Sequence, residues 1–318
     1  MKYKAAIIGL GQIGQGYDYC CNDGSLTVTH ASAYHCHPAF NLIGAADINK
    51  NRCYKFEKRY KLPAFTNINE FMERLKPDVV SISTPTASHY DIFNHVIPYA
   101  PKAIVMEKPF AETVEQAFRM TSIAKLKKTS LLVNYVRRFE PGTNKLKQMM
   151  INGLLGDIYK GNVWYCKGLN NNGSHFIDLL MYFFGDVEQV HLINKGRVLE
   201  SNDPEPDFML RFNGLEVLFQ PVRSECFSMG ELTLIGTKGL VSYSNGKIQY
   251  SLAVPDSVYQ GYTTLKDEIN VIKTDFDKYQ YHVIDALDKH LSDNCNLQSD
   301  DISATETLKV VKKIISLT

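Results

Sequence analysis

The 318-residue sequence has one tryptophan, no Cys-x-x-Cys pair, and no apolar run near the roughly 20 residues that cross a bilayer. The missing run excludes a helical membrane span. The seven cysteines (Cys20, Cys21, Cys36, Cys53, Cys166, Cys226 and Cys295) are odd in number and scattered. They argue against a disulfide framework and fit a reduced, cytoplasmic protein. A charge excess is missing too: 35 basic against 34 acidic residues leave +1. That removes the electrostatic case for nucleic acid or an anionic membrane surface as partner. Lys2 to Leu10 has the outline of a secretory leader, but its apolar run is too short and glycines break it. His30, His35, Cys36 and His37 cluster without helical i, i+4 spacing between His35 and His37 and without a nearby carboxylate, so no metal site is expected.

What is present is ordinary soluble composition, 44% hydrophobic and 22% charged, in a length that suits two domains. Ala5-Ala6-Ile7-Ile8 reads as a buried strand running into Gly9-Leu10-Gly11-Gln12-Ile13-Gly14. This GxGxxG spacing is the dinucleotide fingerprint: one glycine for a tight turn, one for backbone approach to pyrophosphate, one for close helix packing. Residues 41–46 read as the second strand, with Asp47 at its end. A carboxylate there binds both ribose hydroxyls of NAD and repels the 2′-phosphate of NADP, so NAD is the expected cofactor and NADP the less favoured one. The gap between fingerprint and acid is long because residues 15–28 form an insertion, either a plain surface loop or a flap beside the pyrophosphate.

Further along, residues 79–83 form a strand ending at Thr84-Pro85, and a helix over 88–99 leads to the strand 103–106. That strand ends in Glu107-Lys108-Pro109-Phe110. Ligands of open parallel sheets sit beyond the carboxyl ends of the strands, where a lysine can face cofactor and substrate together. Pro109 biases Lys108 away from helix, and the Lys108–Pro109 bond is of the kind that can be cis. A helix over 113–127 and a strand over 131–135, ending at Arg137-Arg138, complete an alternating β/α pattern and imply a doubly wound parallel sheet. After a helix near 143–150, strands at 157–166, 187–198, 207–212, 215–222, 229–235 and 239–250 follow with one helix between them, 174–184. Strands in succession imply a mostly antiparallel sheet. Helices over 279–292 and 302–317 close the chain, the last with an apolar stripe of Leu308, Val311 and Ile315. The expected domains are 1–136, binding dinucleotide, and 137–318, an α+β domain with an open sheet for substrate binding and oligomerisation.

These residues resemble the Gfo/Idh/MocA oxidoreductases, the family of glucose–fructose oxidoreductase and inositol 2-dehydrogenase. The likeness rests on Gly9 to Gly14, the strand end at Asp47, Ser83-Thr84-Pro85 with His89, Glu107-Lys108-Pro109, the run 134–139, Gly173-Ser174-His175-Phe176-Ile177-Asp178, and Ser299-Asp300-Asp301 before the closing helix. The resemblance implies a Rossmann domain beside an open antiparallel sheet, NAD or NADP, a sugar or polyol substrate, and a homodimer or homotetramer. It implies cofactor contacts at Gly9, Gly11, Gln12, Ile13, Gly14, Asp47, Thr84, Pro85, His89, Glu107 and Lys108, and substrate contacts at Arg137, Asn171 and Asp178. Many polyol-oxidising members carry aspartate where this chain has Asn171, which cannot raise the basicity of His175 as an anion would. Thr29-His30-Ala31 is similar to members acting in bacterial surface-polysaccharide synthesis, so a nucleotide sugar is an expected substrate.

His175 and Asp178 stand i, i+3 on one helical face. His175 suits proton acceptance near neutrality, and Lys108 suits stabilisation of alkoxide charge at the same hydroxyl. Either of the two can be the formal base. A non-catalytic NAD-binding regulator and a scaffold subunit are the competing readings.

Overall fold

The computed structural model describes residues 2–21 and 24–318. The chain divides into two compact units: residues up to Phe139 with Asp277–Leu308, and Glu140–Phe276 with Lys309–Thr318.

The first unit alternates strand and helix: β1 (Tyr3–Ile8), α1 (His30–Cys36), β2 (Phe40–Ala46), α2 (Lys50–Tyr60), β3 (Ala64–Phe65), α3 (Ile68–Leu75), β4 (Val79–Ile82), α4 (His89–Val96), β5 (Ala103–Met106), α5 (Val114–Lys127) and β6 (Ser130–Val133). All six strands run parallel in the order β3-β2-β1-β4-β5-β6. This is the doubly wound order whose switch point lies between β1 and β4, where ligands bind. Every residue of β4 and β5 is buried, as a sheet covered on both faces requires. Helix starts follow the expected capping chemistry. Thr113 and Gln116 cap each other reciprocally ahead of α5, and the Asn67 side chain accepts from the backbone N–H groups of Asn69 and Glu70 ahead of α3.

The division differs from a single cut after residue 136, because the chain returns to the first unit after Phe276. Burial is the reason: Val283, Ile284 and Leu287 of a late helix are fully buried among Ala31, Tyr34 and Phe40. The backbone N–H of Val133 at the end of β6 also donates to Ser299 O at 3.2 Å.

The second unit holds α6 (Pro141–Ile151), β7 (Ile158–Tyr165), α7 (Ser174–Phe184), β8 (Gln189–Val198), β9 (Pro204–Phe212), β10 (Leu215–Pro221), β11 (Glu231–Gly236), β12 (Gly239–Ser244), β13 (Lys247–Pro255), β14 (Thr263–Leu265) and β15 (Asn270–Ile272). These strands form one sheet in the order β14-β13-β12-β11-β7-β10-β9-β8, with β15 beside β13. Every pairing is antiparallel except β7 with β10. Burial alternates along β10 and β12, the mark of one packed face and one open face. Phe176, Ile177, Leu179 and Leu180 of α7 pack on the closed face with Phe208 and Phe219, whose rings stack at 4.5 Å.

The expected single strand 239–250 is two strands. Asn245 (φ 49°) and Gly246 (φ 75°) turn the chain between β12 and β13. Two successive positive φ values make the tight primed hairpin turn that Asn-Gly favours. Helices α8 (Tyr279–Asp293) and α9 (Asp301–Leu317) close the chain. Along α9, Leu308 is buried in the first core and Val311 in the second, where Ile314 is fully buried and the expected Ile315 only partly so. Among the described residues no helix is long and apolar enough to cross a membrane.

Candidate active site

The fingerprint glycines differ in what surrounds them. Gly9 has φ +98°, and a Cβ there would stand 2.6 Å from Ser83 O, so both backbone and neighbour demand glycine. A Cβ on Gly14 would collide with the carbonyl oxygen of Gly9, which brings the following turn hard against β1. At Gly11 a Cβ would meet nothing within 4 Å. That open backbone fits the approach of a dinucleotide phosphate. Gln12 and Ile13 open a five-residue π-type turn, Gln12–Gly16, with Gln12 exposed. One wide turn follows the glycines, and α1 starts only at His30, after the expected insertion.

The insertion between them is tied down at described residues on both sides. Asp18 is fully buried, and its carboxylate accepts from Val28 N (3.0 Å), Thr29 N (3.1 Å), Thr29 Oγ1 (2.8 Å) and, at very short range, Ser32 Oγ. Arg59 donates to the carbonyls of Asp18 and Cys21 at 2.8 and 3.0 Å. Asp18 thus reinforces the Thr29–Ser32 capping box of α1. Asn22 and Asp23, at the tip of the expected loop or flap, lie outside the described residues.

Asp47 is buried at the end of β2. Its Oδ2 accepts from Leu10 N inside the fingerprint at 2.7 Å, and Oδ1 accepts from Asn49 N at 2.8 Å. The carboxylate thereby shapes the glycine turn. The half-exposed guanidinium of Arg52 stands 3.5 Å from Oδ2.

At the ends of β4 and β5 the chain places Thr84, Pro85, His89, Glu107 and Lys108. Thr84 and Lys108 are half-buried and Pro85 is exposed. His89 is fully buried: Nε2 lies 2.9 Å from Thr84 O, and Nδ1 lies 3.1 and 3.3 Å from the carbonyl oxygens of Pro109 and Phe110. It ties one strand-end loop to the other, and burial holds its pKa below the ordinary value against those carbonyls. The Lys108–Pro109 peptide is cis.

Glu107 is buried directly before the lysine. Its Oε1 receives His30 Nε2 at 3.0 Å and Asn134 Nδ2 at 2.6 Å, and Oε2 accepts the backbone N–H of Lys108 at 3.3 Å. Gln280 completes the group, with Oε1 2.9 Å from Asn134 Nδ2 and Nε2 3.3 Å from His30 Nδ1. Burial pushes the Glu107 carboxyl up, but the bonds from His30 and Asn134 and the charges of His30 and Lys108 outweigh it and leave the group below the ordinary carboxylate value. Arg137 is half-buried just after β6, and Arg138 is buried with Nη1 on Gln298 O at 3.1 Å.

In the second unit, Asn171 and His175 flank the join between a π-type turn, Leu169–Gly173, and α7. Asn171 is exposed, His175 half-buried, and Asp178 fully buried on α7. Two acids hold the turn from outside. Asp203 accepts from Asn170 N (2.9 Å), Asn170 Nδ2 (2.9 Å) and Asn171 N (3.1 Å), while Glu205 accepts from Gly168 N at 3.1 Å. Gly168 has φ +90°, and a Cβ there would strike the Asp203 carboxylate.

Sequence reasoning missed Asp18, Gln280, Asp203 and Glu205. Only Asp18 left a local trace, an acid ahead of a Thr-x-x-Ser cap. The other three act from 32 or more residues away from the turn and amide groups named above.

Residues 3–135 match the sequence pattern of an oxidoreductase family with an NAD-binding Rossmann fold. The chain is similar to D-glucoside 3-dehydrogenase of Escherichia coli K12, 28% identical over 159 residues, 49% of this chain and 41% of that protein. It spans about half the length, or less, of three such curated relatives (41, 39 and 49%). Among solved structures it is similar to the WlbA dehydrogenase of Bordetella pertussis in complex with NADH and UDP-GlcNAcA, with TM-score 0.78, 17% identity, and 99% and 95% of the two chains covered. A structure from Desulfitobacterium hafniense, named as an NADPH-dependent oxidoreductase, gives TM-score 0.80 at 16% identity over 99% and 95%. At such identities the solved structures speak for the fold alone. The glycine turn, Asp47 and the Glu-Lys-Pro turn all lie inside the matched segment, so residues 3–135 carry the chain's likeness to the Gfo/Idh/MocA oxidoreductase family.

Proposed function

We propose that the protein is a dehydrogenase that moves two electrons between a nicotinamide cofactor and a hydroxyl or keto carbon of a sugar or nucleotide sugar. The observation that carries this reading is Lys108: a half-buried lysine at the carboxyl end of β5, its backbone held by a buried carboxylate, in the same parallel sheet as the glycine turn. The cofactor, when bound, supplies the hydride chemistry. The backbone around Gly11 to Gly14 would hold its phosphates, and Asp47 its ribose. Lys108 would stabilise negative charge on the reacting oxygen, and His175 would take or return the hydroxyl proton. Arg137, Asn171 and Asp178 are the candidate substrate contacts. The assignment of cofactor binding to 1–136 and of substrate binding and self-association to 137–318 is part of the same proposal.

Nucleotide sugars lead the substrate classes, in keeping with the ligand named for the WlbA dehydrogenase, and a role in surface-polysaccharide synthesis is part of the same proposal. NAD is favoured over NADP because a 2′-phosphate facing the Asp47 carboxylate would cost several kcal/mol, on the order of a like-charge contact. Dissociation constants of NADH and NADPH, on wild type and Asp47→Ser, test this; a wild-type preference for NADPH overturns it. Exposed Ile193 and Val198 on β8 suit a homodimer or homotetramer, which sedimentation equilibrium would reveal.

The decisive experiment screens free sugars, polyols, sugar phosphates and UDP-sugars with both cofactors for nicotinamide fluorescence. Turnover of one class, lost in Lys108→Met while cofactor binding persists, is the expected result. Cofactor binding without turnover of any class would replace the enzyme reading with the regulator or scaffold reading.

A further inference from the structure

The loop between β10 and β11, residues 222–230, is held at three places. At its start Val222 N donates to Tyr165 O at 2.7 Å. In its middle the two oxygens of Glu225 take the guanidinium of Arg197 on β8 as a fork, Nη2 on Oε2 at 2.9 Å and Nη1 on Oε1. The Nε of the same guanidinium donates to the buried Glu205 at 2.7 Å. At the loop's end Met229 N donates to the buried Cys166 Sγ at 3.3 Å. Two of these anchors lead to the turn that carries Asn171. Glu205 also accepts from Gly168 N, and Asn172 Nδ2 lies 3.8 Å from the Cys166 thiol. A Cβ on Gly230 would stand 3.3 Å from the ring of Phe176, the residue after His175. The loop therefore borders both that turn and the start of α7.

Arg223 O accepts from Cys226 N at 3.0 Å and from Phe227 N at 3.4 Å, which closes one helical turn at the loop's tip. Residues four apart on such a turn stand on one side of it. Arg223 and Phe227 share that side, while Glu225, two positions from each, is turned to Arg197. Arg223 is exposed and Phe227 is 62% exposed, although the loop around them is anchored. Phe227 is two residues from Met229, so its Cα lies within about 7 Å of the Met229 Cα, beside Cys166. Lys167, next to that thiol, is exposed and holds φ 61°, a backbone region uncommon for lysine. The neighbouring acids are spent on the chain's own donors: Asp203 on Asn170 and Asn171, Glu205 on Gly168 and Arg197, Glu225 on Arg197. An aromatic face takes a nucleobase by stacking, and a guanidinium takes phosphate through its paired N–H donors. We propose that Arg223 and Phe227, with Lys167 beside them, form a subsite for the nucleotide half of a nucleotide-sugar substrate. Phe227 stacks on the base, and the two cations take the diphosphate. The proposal rests on reading the turn of Asn171 and His175 as the place of the sugar.

The test measures binding without turnover. UDP, which carries no sugar to oxidise, is titrated by calorimetry into the full chain saturated with NADH, so that the cofactor turn is already filled. Wild type should bind UDP, and bind it more tightly than UMP. Phe227→Ala should weaken UDP and UMP alike by about tenfold, the usual loss for one base–aromatic stack, and Phe227→Tyr should restore both. Arg223→Gln should weaken UDP by about tenfold and UMP less, which narrows the gap between the two. Lys167→Gln should act in the same sense as Arg223→Gln, by about threefold for a charge in open solvent. No UDP binding at millimolar concentration overturns the proposal, as does UDP binding that neither Phe227→Ala nor Arg223→Gln weakens. A change of oligomeric state in Phe227→Ala with UDP affinity intact also overturns it and makes the ring a contact between copies. Failure of the enzyme reading is a different result: UDP binds as described, yet no sugar class is turned over. Turnover of a free sugar without UDP binding would leave the enzyme reading standing and remove this subsite.

Discussion

The two units place their candidate groups by different means. In the first, Gly9, Asp47, Thr84 and Lys108 all lie within two residues of the ends of parallel strands, so the sheet itself lines them up. In the second, Asn171 and His175 sit at a π-type turn held by carboxylates that arrive with the chain more than 30 residues later. Placement by strand ends needs only local pattern. Placement by distant acids needs the assembled sheet. The first kind should tolerate loss of any single polar contact better than the second.

Removing the reactive groups sharpens the contrast most. Lys108→Met and His175→Asn should each cut turnover by about 10²–10³, the usual loss for one electrostatic donor or proton acceptor. Cofactor affinity, measured by fluorescence quenching, should survive both. The double variant should be little worse than either single one, because groups serving one proton transfer are not additive. Near-normal turnover in either single variant would remove that residue from the site.

Gly14→Ala tests the first unit's dependence on backbone. The new methyl would collide with Gly9 O, and overpacking of this kind costs about 1–3 kcal/mol. Thermal unfolding should show that loss together with weakened NAD binding. Wild-type affinity would break the idea that the turn must touch β1. Asp203→Ala is the matching change in the second unit. It strands three donors at the turn of Asn170 and Asn171 and should cost about 1–3 kcal/mol. It should also lower kcat on the true substrate while leaving NAD affinity untouched. A drop in NAD affinity instead would blur the two mechanisms of placement.

A further contrast is in pH. His89 and Glu107, both in the first unit, have folded pKa values below their ordinary 6.5 and 4.5. For each, the unfolded chain binds the proton more readily, so stability is full above the ordinary value and falls as pH drops through the folded one. Thermal melts should therefore lose stability in two stages, beginning below 6.5 and again below 4.5. His89→Gln should remove the first stage and Glu107→Gln the second; unchanged curves would show that other groups dominate. The smallest effect belongs to the β12–β13 hairpin. Asn245→Ala places an ordinary side chain at φ 49° and should cost about 1 kcal/mol without touching cofactor binding.

What the sequence alone determined was whatever depends on neighbours along the chain. Buried strands such as Val79–Ile82 read as continuous apolar runs because both faces of a parallel sheet are covered. The capping box at Thr113 and the glycine spacing work through residues two to five positions apart. Even the missed Asn245–Gly246 hairpin was a local signal, hidden by the apolar residues on either side. The tertiary structure alone decided that α8 belongs to the first unit, that Asp47 reaches back to Leu10 N, and that Glu107, His30, Asn134 and Gln280 form one ring. Those contacts join residues up to 250 positions apart. A buried carboxylate needs donors from somewhere, but only the packed chain decides which of many polar side chains supplies them.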